Sequence, residues 1–243
     1  MKLYRSFILF LLLSLLSISA AFTWPFHRTY FLPASTSQEV RVTSHNTWLS
    51  NEMRVIESHT YGLNEKVLRL GLLAYMNVKK RGYATNQLLT IVDYSLPSTA
   101  KRLWVFDMKN GKTLFNTWVS HGKNSGGIIP TSFSNHRGSL KSSLGVFITE
   151  NAYVGGNGYS LRLKGLENGI NDNAYQRSIV IHGARYVNPD TIRRYGQIGR
   201  SWGCLAVSTA LSTSLINTIK ENTVVVAYYP DHNWLSHSRF LAG

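Results

Sequence analysis

Cys204 is the only cysteine in this chain of 243 residues. A single thiol excludes an intramolecular disulfide, so the fold must be stabilised by a hydrophobic core. About 220 residues remain after removal of an N-terminal signal, and a chain of that length buries a large core without covalent cross-links. We therefore expect one domain, or one domain with a small appendage, and a thiol whose presence needs another explanation.

The first 21 residues have the organisation of a secretory signal. Lys2 and Arg5 form a basic start, an apolar run extends from Phe7 to Leu16, and small residues between Ile18 and Ala21 form a cleavage zone. We predict a signal peptide over residues 1–21 and a mature protein in the periplasm or cell envelope. The alternative is an uncleaved membrane anchor, because the apolar stretch approaches the roughly 20 residues that span a bilayer.

Basic residues outnumber acidic ones, with 26 Lys and Arg against 12 Asp and Glu. Loss of Lys2 and Arg5 with the signal lowers the formal net charge from +14 to +12. Such a surface attracts polyanions. In an exported compartment the expected partner is peptidoglycan, with its carboxylate-bearing stem peptides, rather than nucleic acid. Peripheral association with the envelope and a solvated surface with no specific partner are the alternatives, and we expect a monomer.

The pattern along the chain predicts a mainly β fold with a few helices. Residues 23–50 are polar and unpatterned, which indicates a linker, and a helix with Asn64 as its N-cap follows. Asn110-Gly111 is a hairpin signal, and Ser208 is the expected cap of a helix over 209–220. Short β-prone runs lie at 88–92, 102–107, 113–120, 144–149, 160–163, 178–182 and 223–229. The predicted organisation is a linker and helical segment over 22–83 and a catalytic domain over 84–243.

His182 and Cys204 are the candidate catalytic pair. A thiol acts as a nucleophile only as thiolate, so it needs a base or a positive field beside it. His182 ends an apolar strand, and the 22 positions to Cys204 include a Gly- and Arg-rich loop that can return the chain to the strand end. Gly203 would allow the backbone N–H groups of Gly203 and Cys204 to form an oxyanion hole.

The spacing of these residues resembles a known signature. His182-Gly183, seventeen intervening residues and then Ser201-Trp202-Gly203-Cys204 are similar to the murein L,D-transpeptidase catalytic domain, in its Gram-negative branch. Further similar segments are Phe133-Ser134-Asn135, Ser142-Ser143-Leu144-Gly145, Ser160-Leu161-Arg162-Leu163 and Asn171-Asp172-Asn173-Ala174, so that the resemblance covers about residues 84–229. It implies a β-sandwich catalytic domain preceded by a small helical segment.

The resemblance also implies a role for each matching residue. Cys204 would attack the carbonyl of the third stem-peptide residue and expel the terminal D-Ala, with His182 as base and the Gly183 carbonyl orienting the imidazole. An amine of a second stem peptide would then accept the acyl group in a 3–3 cross-link, or water would give L,D-carboxypeptidase activity. Sensitivity to carbapenems follows from the same chemistry, and no cofactor is implied.

Two residues depart from the family pattern, and one of them, Trp202, is also among four candidate substrate contacts. Trp202 stands where many members have His, and Leu205 stands where a polar residue follows the cysteine. Substrate preference is therefore open, whereas the nucleophile, base and oxyanion glycine are retained. The candidate contacts are Arg200, Ser201, Trp202 and His121.

Three alternative interpretations of these residues remain. A metal site from His121, His136, His182 and Cys204 is conceivable, but closely spaced ligand pairs are absent from the sequence, so we expect no metal. A sortase-like enzyme would need an arginine on a strand after the cysteine, and the only later one is Arg239 in the tail. A catalytically silent murein-binding module is the alternative from a different functional class.

Overall fold

The computed structural model describes residues 37–242, with side chains described from residue 47 onward. The predicted signal peptide over 1–21 and the first part of the predicted linker lie outside these residues. Within the described part, none of the helices combines the length and apolar character needed to cross a bilayer.

Eight strands of the described chain form one hydrogen-bonded sheet in the order β3-β2-β1-β8-β4-β5-β6-β7. Two neighbouring pairs, β1 with β8 and β6 with β7, run parallel, and all other neighbours are antiparallel. The strands are β1 (Leu88–Asp93), β2 (Leu103–Asp107), β3 (Lys112–Thr117), β4 (Gly145–Gly155), β5 (Gly158–Gly165), β6 (Val180–Ala184), β7 (Leu205–Ser208) and β8 (Val224–Tyr228). The predicted mainly β fold is confirmed.

Five helices accompany the sheet in the described residues, namely α1 (Ser37–Glu57), α2 (Glu65–Lys80), α3 (Pro189–Tyr195), α4 (Thr209–Ile219) and α5 (His232–His237). The predicted N-cap is confirmed, because the Asn64 side chain accepts a hydrogen bond from the Lys66 amide at 2.9 Å. Ser208 occupies the cap position of α4 but makes no side-chain cap hydrogen bond.

The prediction of a linker is wrong over residues 37–50, which lie in α1. The polar sequence of this helix has no clear apolar stripe, so periodicity gave no signal for it. Tertiary packing stabilises its second half instead. Leu49 and Ile56 are buried in the main core, and the Trp48 ring stacks on Tyr75 of α2 at a centroid distance of 6.4 Å.

All seven predicted β runs overlap observed strands, and the Asn110-Gly111 hairpin joins β2 to β3 with Gly111 at a φ of +63°. Strand β7 and helices α3 and α5 were not predicted. They contain only four to seven residues each. Elements of this length rarely carry a periodic signal that separates them from loops.

A buried carboxylate links the sheet to the C-terminal helix. Glu167 Oε2 accepts hydrogen bonds from the Val146 amide at 2.7 Å and from Trp234 Nε1 at 2.9 Å, and Ser238 Oγ donates to Oε1. The Asn171 side chain completes the arrangement, because it accepts from the Glu167 amide and donates to the Val146 carbonyl. The chain after β5 is thereby held against β4 and α5.

Replacement of Glu167 by Ala tests this link. We expect the free energy of unfolding to fall by about 3 kcal/mol, because buried N–H groups of Val146 and Trp234 lose their acceptor. Urea denaturation would measure the change. Glu57→Ala, at the exposed end of α1, is the control and should stay within about 0.5 kcal/mol of the unmodified protein. Equal stability of the two variants would contradict the proposed role of Glu167.

Candidate active site

The pairing of β6 with β7 determines where Cys204 lies relative to His182. The register sets His182 beside Ala206 and Ile181 beside Leu205. Cys204 directly precedes β7. Extending the register by one residue places Cys204 beside Val180. Because side chains two positions apart on a strand share a face, His182 and Cys204 lie on the same face of the sheet.

Both side chains line one cleft with a volume of about 390 Å³. The other residues that line it are Asn157, Arg177, Ser178, Tyr186, Arg200, Ser201 and Trp202. Four of the predicted site residues besides His182 therefore meet in one place, namely Arg200, Ser201, Trp202 and Cys204.

The His182 ring is held by its neighbour in the chain. Its Nδ1 lies 3.0 Å from the carbonyl oxygen of Gly183. A carbonyl can only accept, so Nδ1 carries a proton, and in the neutral ring Nε2 is the acceptor. This tautomer is the one that a general base requires.

Cys204 is partly buried, and its Sγ donates to the carbonyl oxygen of Ser178 at 3.4 Å. Ser178 has a φ of +56°, a conformation that non-glycine residues rarely adopt and that is concentrated at functional sites. Burial raises the pKa of the Cys204 thiol, while a hydrogen bond from the Val180 amide and the charge of Arg177 lower it. The net effect is a raised pKa, so Cys204 rests as a neutral thiol near pH 7.

Gly203 is required by the backbone as well as by the predicted chemistry. Its φ is +121°, and a Cβ atom there would lie 2.7 Å from the carbonyl oxygen of Lys141. The Gly203 N–H donates to Ser201 Oγ at 3.1 Å, and that hydroxyl donates to the Cys204 carbonyl at 2.7 Å. One of the two predicted oxyanion donors is therefore engaged within the turn, and Ser201 closes the turn that carries the thiol.

His121 does not line the cleft. It is 1 % exposed, and its Nδ1 accepts a hydrogen bond from Arg102 Nη2 at 2.8 Å. Burial and the charge of Arg102 lower the pKa of His121 to about 4, so the ring is neutral and can accept. The backbone of His121 contributes to the site instead, because its carbonyl accepts from the Ser201 amide at 2.9 Å.

Arg200 and Trp202 occupy different parts of the cleft wall. Arg200 Nη1 donates to the carbonyl oxygens of Gly126 at 2.9 Å and Lys123 at 3.3 Å, so it fastens the loop after His121. Trp202 is 73 % exposed, and Lys123 Nζ lies 5.9 Å from the centroid of its ring. Trp202 therefore lies on the open side of the cleft that holds Cys204.

Arg177 is a cleft residue that sequence reasoning missed. Its Nη1 donates to the Ser134 carbonyl and to Ser143 Oγ, and its Nη2 donates to the Lys141 carbonyl at 2.7 Å and to Ser139 Oγ at 3.1 Å. It places a positive charge near Cys204 and fastens the loop that touches Gly203. The available signal was a basic residue three positions before the strand that carries His182.

The alternative of a metal site is not supported by the positions of the histidines. His136 lines a separate cavity of about 460 Å³. Within the described side chains, no three residues among His, Cys, Asp and Glu are grouped so that they could hold a metal ion.

Substitution of Arg177 tests its charge beside the thiol. We expect Arg177→Gln to move the midpoint of the pH profile for Cys204 alkylation to higher pH, because the thiolate loses a stabilising charge. Arg177→Lys should retain most of the effect, and Arg194→Gln, an exposed substitution on α3, should leave the midpoint unchanged. Iodoacetamide labelling followed by mass spectrometry measures the profile. An unchanged midpoint in a folded Arg177→Gln protein would refute this role.

Comparison with known proteins assigns the chain to a family. The profile of the L,D-transpeptidase catalytic domain matches residues 59–228, which are more than half of the chain and begin before the predicted domain start at residue 84. A search of curated proteins gave no significant match.

A comparison with solved structures gave several matches of low sequence identity. An L,D-transpeptidase from Mycobacterium smegmatis is 13% identical, with 59% of each chain covered and a TM-score of 0.36. The helical cell shape determining protein Pgp2 from Campylobacter jejuni is 16% identical over 65% of this chain and 57% of that one, with a TM-score of 0.40. An L,D-transpeptidase from Stackebrandtia nassauensis is 14% identical over 75% and 91%, with a TM-score of 0.35.

The chain spans 59% of the length of the Mycobacterium smegmatis protein. The match to the domain profile carries the assignment. The chain belongs to the L,D-transpeptidase catalytic domain family.

Proposed function

We propose that this protein is an exported cysteine acyltransferase that acts on peptidoglycan stem peptides. Membership of the L,D-transpeptidase catalytic domain family supports the reaction class. The observation that carries the proposal is the common cleft of Cys204 and His182, with the His182 tautomer set by the Gly183 carbonyl.

The first half-reaction begins with proton transfer. The thiol turns from the Ser178 carbonyl towards His182, Nε2 takes its proton, and Sγ attacks the carbonyl carbon of the third stem-peptide residue. The oxyanion that forms is stabilised by the Cys204 N–H and by the Gly203 N–H once Ser201 Oγ releases it. The imidazolium then protonates the departing amine, so that D-Ala leaves and a thioester remains on Cys204.

The second half-reaction returns the enzyme to its resting state. An amine of a second stem peptide attacks the thioester, His182 takes the proton from that amine, and the sulfur leaves and recovers a proton. The product is a 3–3 cross-link. Water in place of the amine gives a shortened peptide, which is L,D-carboxypeptidase activity.

Export and lineage form part of the proposal. The basic start, apolar run and small residues within 1–21 support a signal peptide and a periplasmic location. The segments around Cys204 support the Gram-negative branch of the family. The net charge of +12 that remains after loss of Lys2 and Arg5 supports attraction to the acidic polymer, and we propose that the protein acts as a monomer.

A catalytically silent murein-binding module is the second candidate. The resting geometry favours it in two respects, because Sγ contacts the Ser178 carbonyl and the Gly203 N–H is engaged by Ser201. Both contacts would have to change before the first chemical step. Direct assays therefore separate an enzyme from a binding module.

Incubation of the mature protein with disaccharide tetrapeptide provides the main test. We expect mass spectrometry to detect loss of D-Ala or a tripeptide-containing dimer. Cys204→Ala should abolish both products, and His182→Ala should slow their formation by at least about 100-fold through loss of general-base catalysis. If the unmodified protein leaves the substrate intact, as Cys204→Ala does, the enzyme proposal fails and the binding module remains.

Reaction with a carbapenem tests the nucleophile independently of the natural substrate. The strained ring carbonyl should acylate Cys204 and give one covalent adduct, located by peptide mapping. His182→Ala should slow adduct formation because the thiol loses its base. A folded protein that acquires no adduct, or one modified at another residue, would contradict the assignment of Cys204.

A further inference from the structure

Arg162 on β5 lies between two aromatic rings. Its guanidinium carbon is 4.1 Å from the centroid of Tyr153 and 5.4 Å from the centroid of Tyr175. Two flanking rings restrict the guanidinium while leaving the edges that carry its N–H groups available. Within the described residues, the Arg162 side chain takes part in no hydrogen bond and no ion pair, so its guanidinium donors are unused.

The sheet register connects this arginine to the nucleophile. Arg162 pairs with Val180, just as Ser160 pairs with His182. The continued register of β6 with β7 sets Cys204 beside Val180 on the other side. Arg162 and Cys204 therefore lie in one row on the same sheet face, with Cα atoms about 10 Å apart at roughly 4.8 Å per strand.

One turn of the chain serves both the arginine and the thiol. Tyr175 supplies a ring to Arg162, and its carbonyl accepts a hydrogen bond from the Ser178 amide at 3.0 Å. The Ser178 carbonyl in turn contacts Cys204 Sγ. On the other side, Asn157 at the tip of the β4–β5 hairpin lines the cleft. Arg162 is thus separated from the residues that line the cleft by one turn of the chain.

The two arginines within the cleft are already engaged. Arg177 donates to the loop over residues 134–143, and Arg200 donates to the carbonyls of Lys123 and Gly126. Arg162 alone among these three keeps all of its donors for a ligand. A planar guanidinium with free donors matches a carboxylate, which accepts two parallel N–H bonds.

We propose that Arg162, held between Tyr153 and Tyr175, binds a carboxylate of the acyl-donor peptide. This proposal rests on the proposed function, since it assumes that the donor lies across β5, β6 and β7 towards Cys204. The Cα separation of about 10 Å leaves space for a donor carboxylate at Arg162 while the third-residue carbonyl lies at Cys204. Binding of that carboxylate fixes the register of the donor in the cleft.

Equilibrium binding tests the proposal without catalysis. The ligand is the tetrapeptide L-Ala-γ-D-Glu-diaminopimelate-D-Ala, and calorimetry measures its Kd for the Cys204→Ala protein. Three further peptides are each amidated at one carboxylate, on the second residue, on the third-residue side chain or at the C-terminus. We expect Arg162→Gln to weaken binding of the parent peptide by about 10-fold to 100-fold, as for loss of a charge-assisted pair.

Amidation identifies the carboxylate that contacts Arg162. For one of the three amidated peptides, Arg162→Gln should cause no further loss, whereas the other two should behave like the parent. Tyr175→Ala removes one of the two rings that flank Arg162. It should weaken binding of the same peptides to a smaller extent than Arg162→Gln does. Lys164→Gln removes one positive charge further along β5 and should leave all four affinities within about twofold, as an exposed charge is worth little.

Two results would overturn the proposal. In one, Arg162→Gln leaves the affinity for the parent peptide unchanged; in the other, it weakens all four peptides equally, as a general structural effect would. Failure of the proposed function has a different signature. In that case the parent peptide binds in an Arg162-dependent manner, but the unmodified protein forms no acyl-enzyme on Cys204.

Discussion

Parallel hydrogen bonding between β6 and β7 places His182 beside Ala206 and determines where the chain that carries Cys204 enters the sheet. Neither strand could hold this geometry alone, because β6 has five residues and β7 has four. Ile181 and Leu205, which are paired in the register, are fully buried on the opposite face from His182. Burial of that face therefore fixes the register, and the register aligns base and nucleophile.

The turn that ends in Cys204 is fixed mainly by backbone contacts from two loops. The His121 carbonyl accepts from Ser201, and the Lys141 carbonyl packs so closely on Gly203 that no side chain could be accommodated there. Arg200 donates a hydrogen bond to the loop that follows His121, and Arg177 donates one to the loop that contains Lys141. These cationic side chains are satisfied largely by carbonyl oxygens, which keeps their charge close to the thiol without an acidic partner to neutralise it.

Sequence alone predicted what depends on local pattern and spacing. Periodicity predicted the seven β runs, and capping chemistry predicted the Asn64 N-cap. A recognised spacing predicted that Cys204 and His182 share one site. The sequence could not predict which side chains in the cleft would be hydrogen-bonded to neighbouring loops. Arg200 and His121 were both assigned to substrate, yet their partners come from residues that only the folded chain brings near them.

Burial of the thiol affects how the proposed reaction can begin. Because burial raises the pKa of Cys204, the resting protein holds a neutral thiol, and a preformed thiolate is not the starting state. Proton transfer to His182 must then accompany substrate binding, which also has to draw Sγ away from the Ser178 carbonyl. A donor peptide anchored at Arg162 would lie over Ser178 and supply that displacement. The reactive thiolate would then form more readily when a ligand fills the cleft and excludes water.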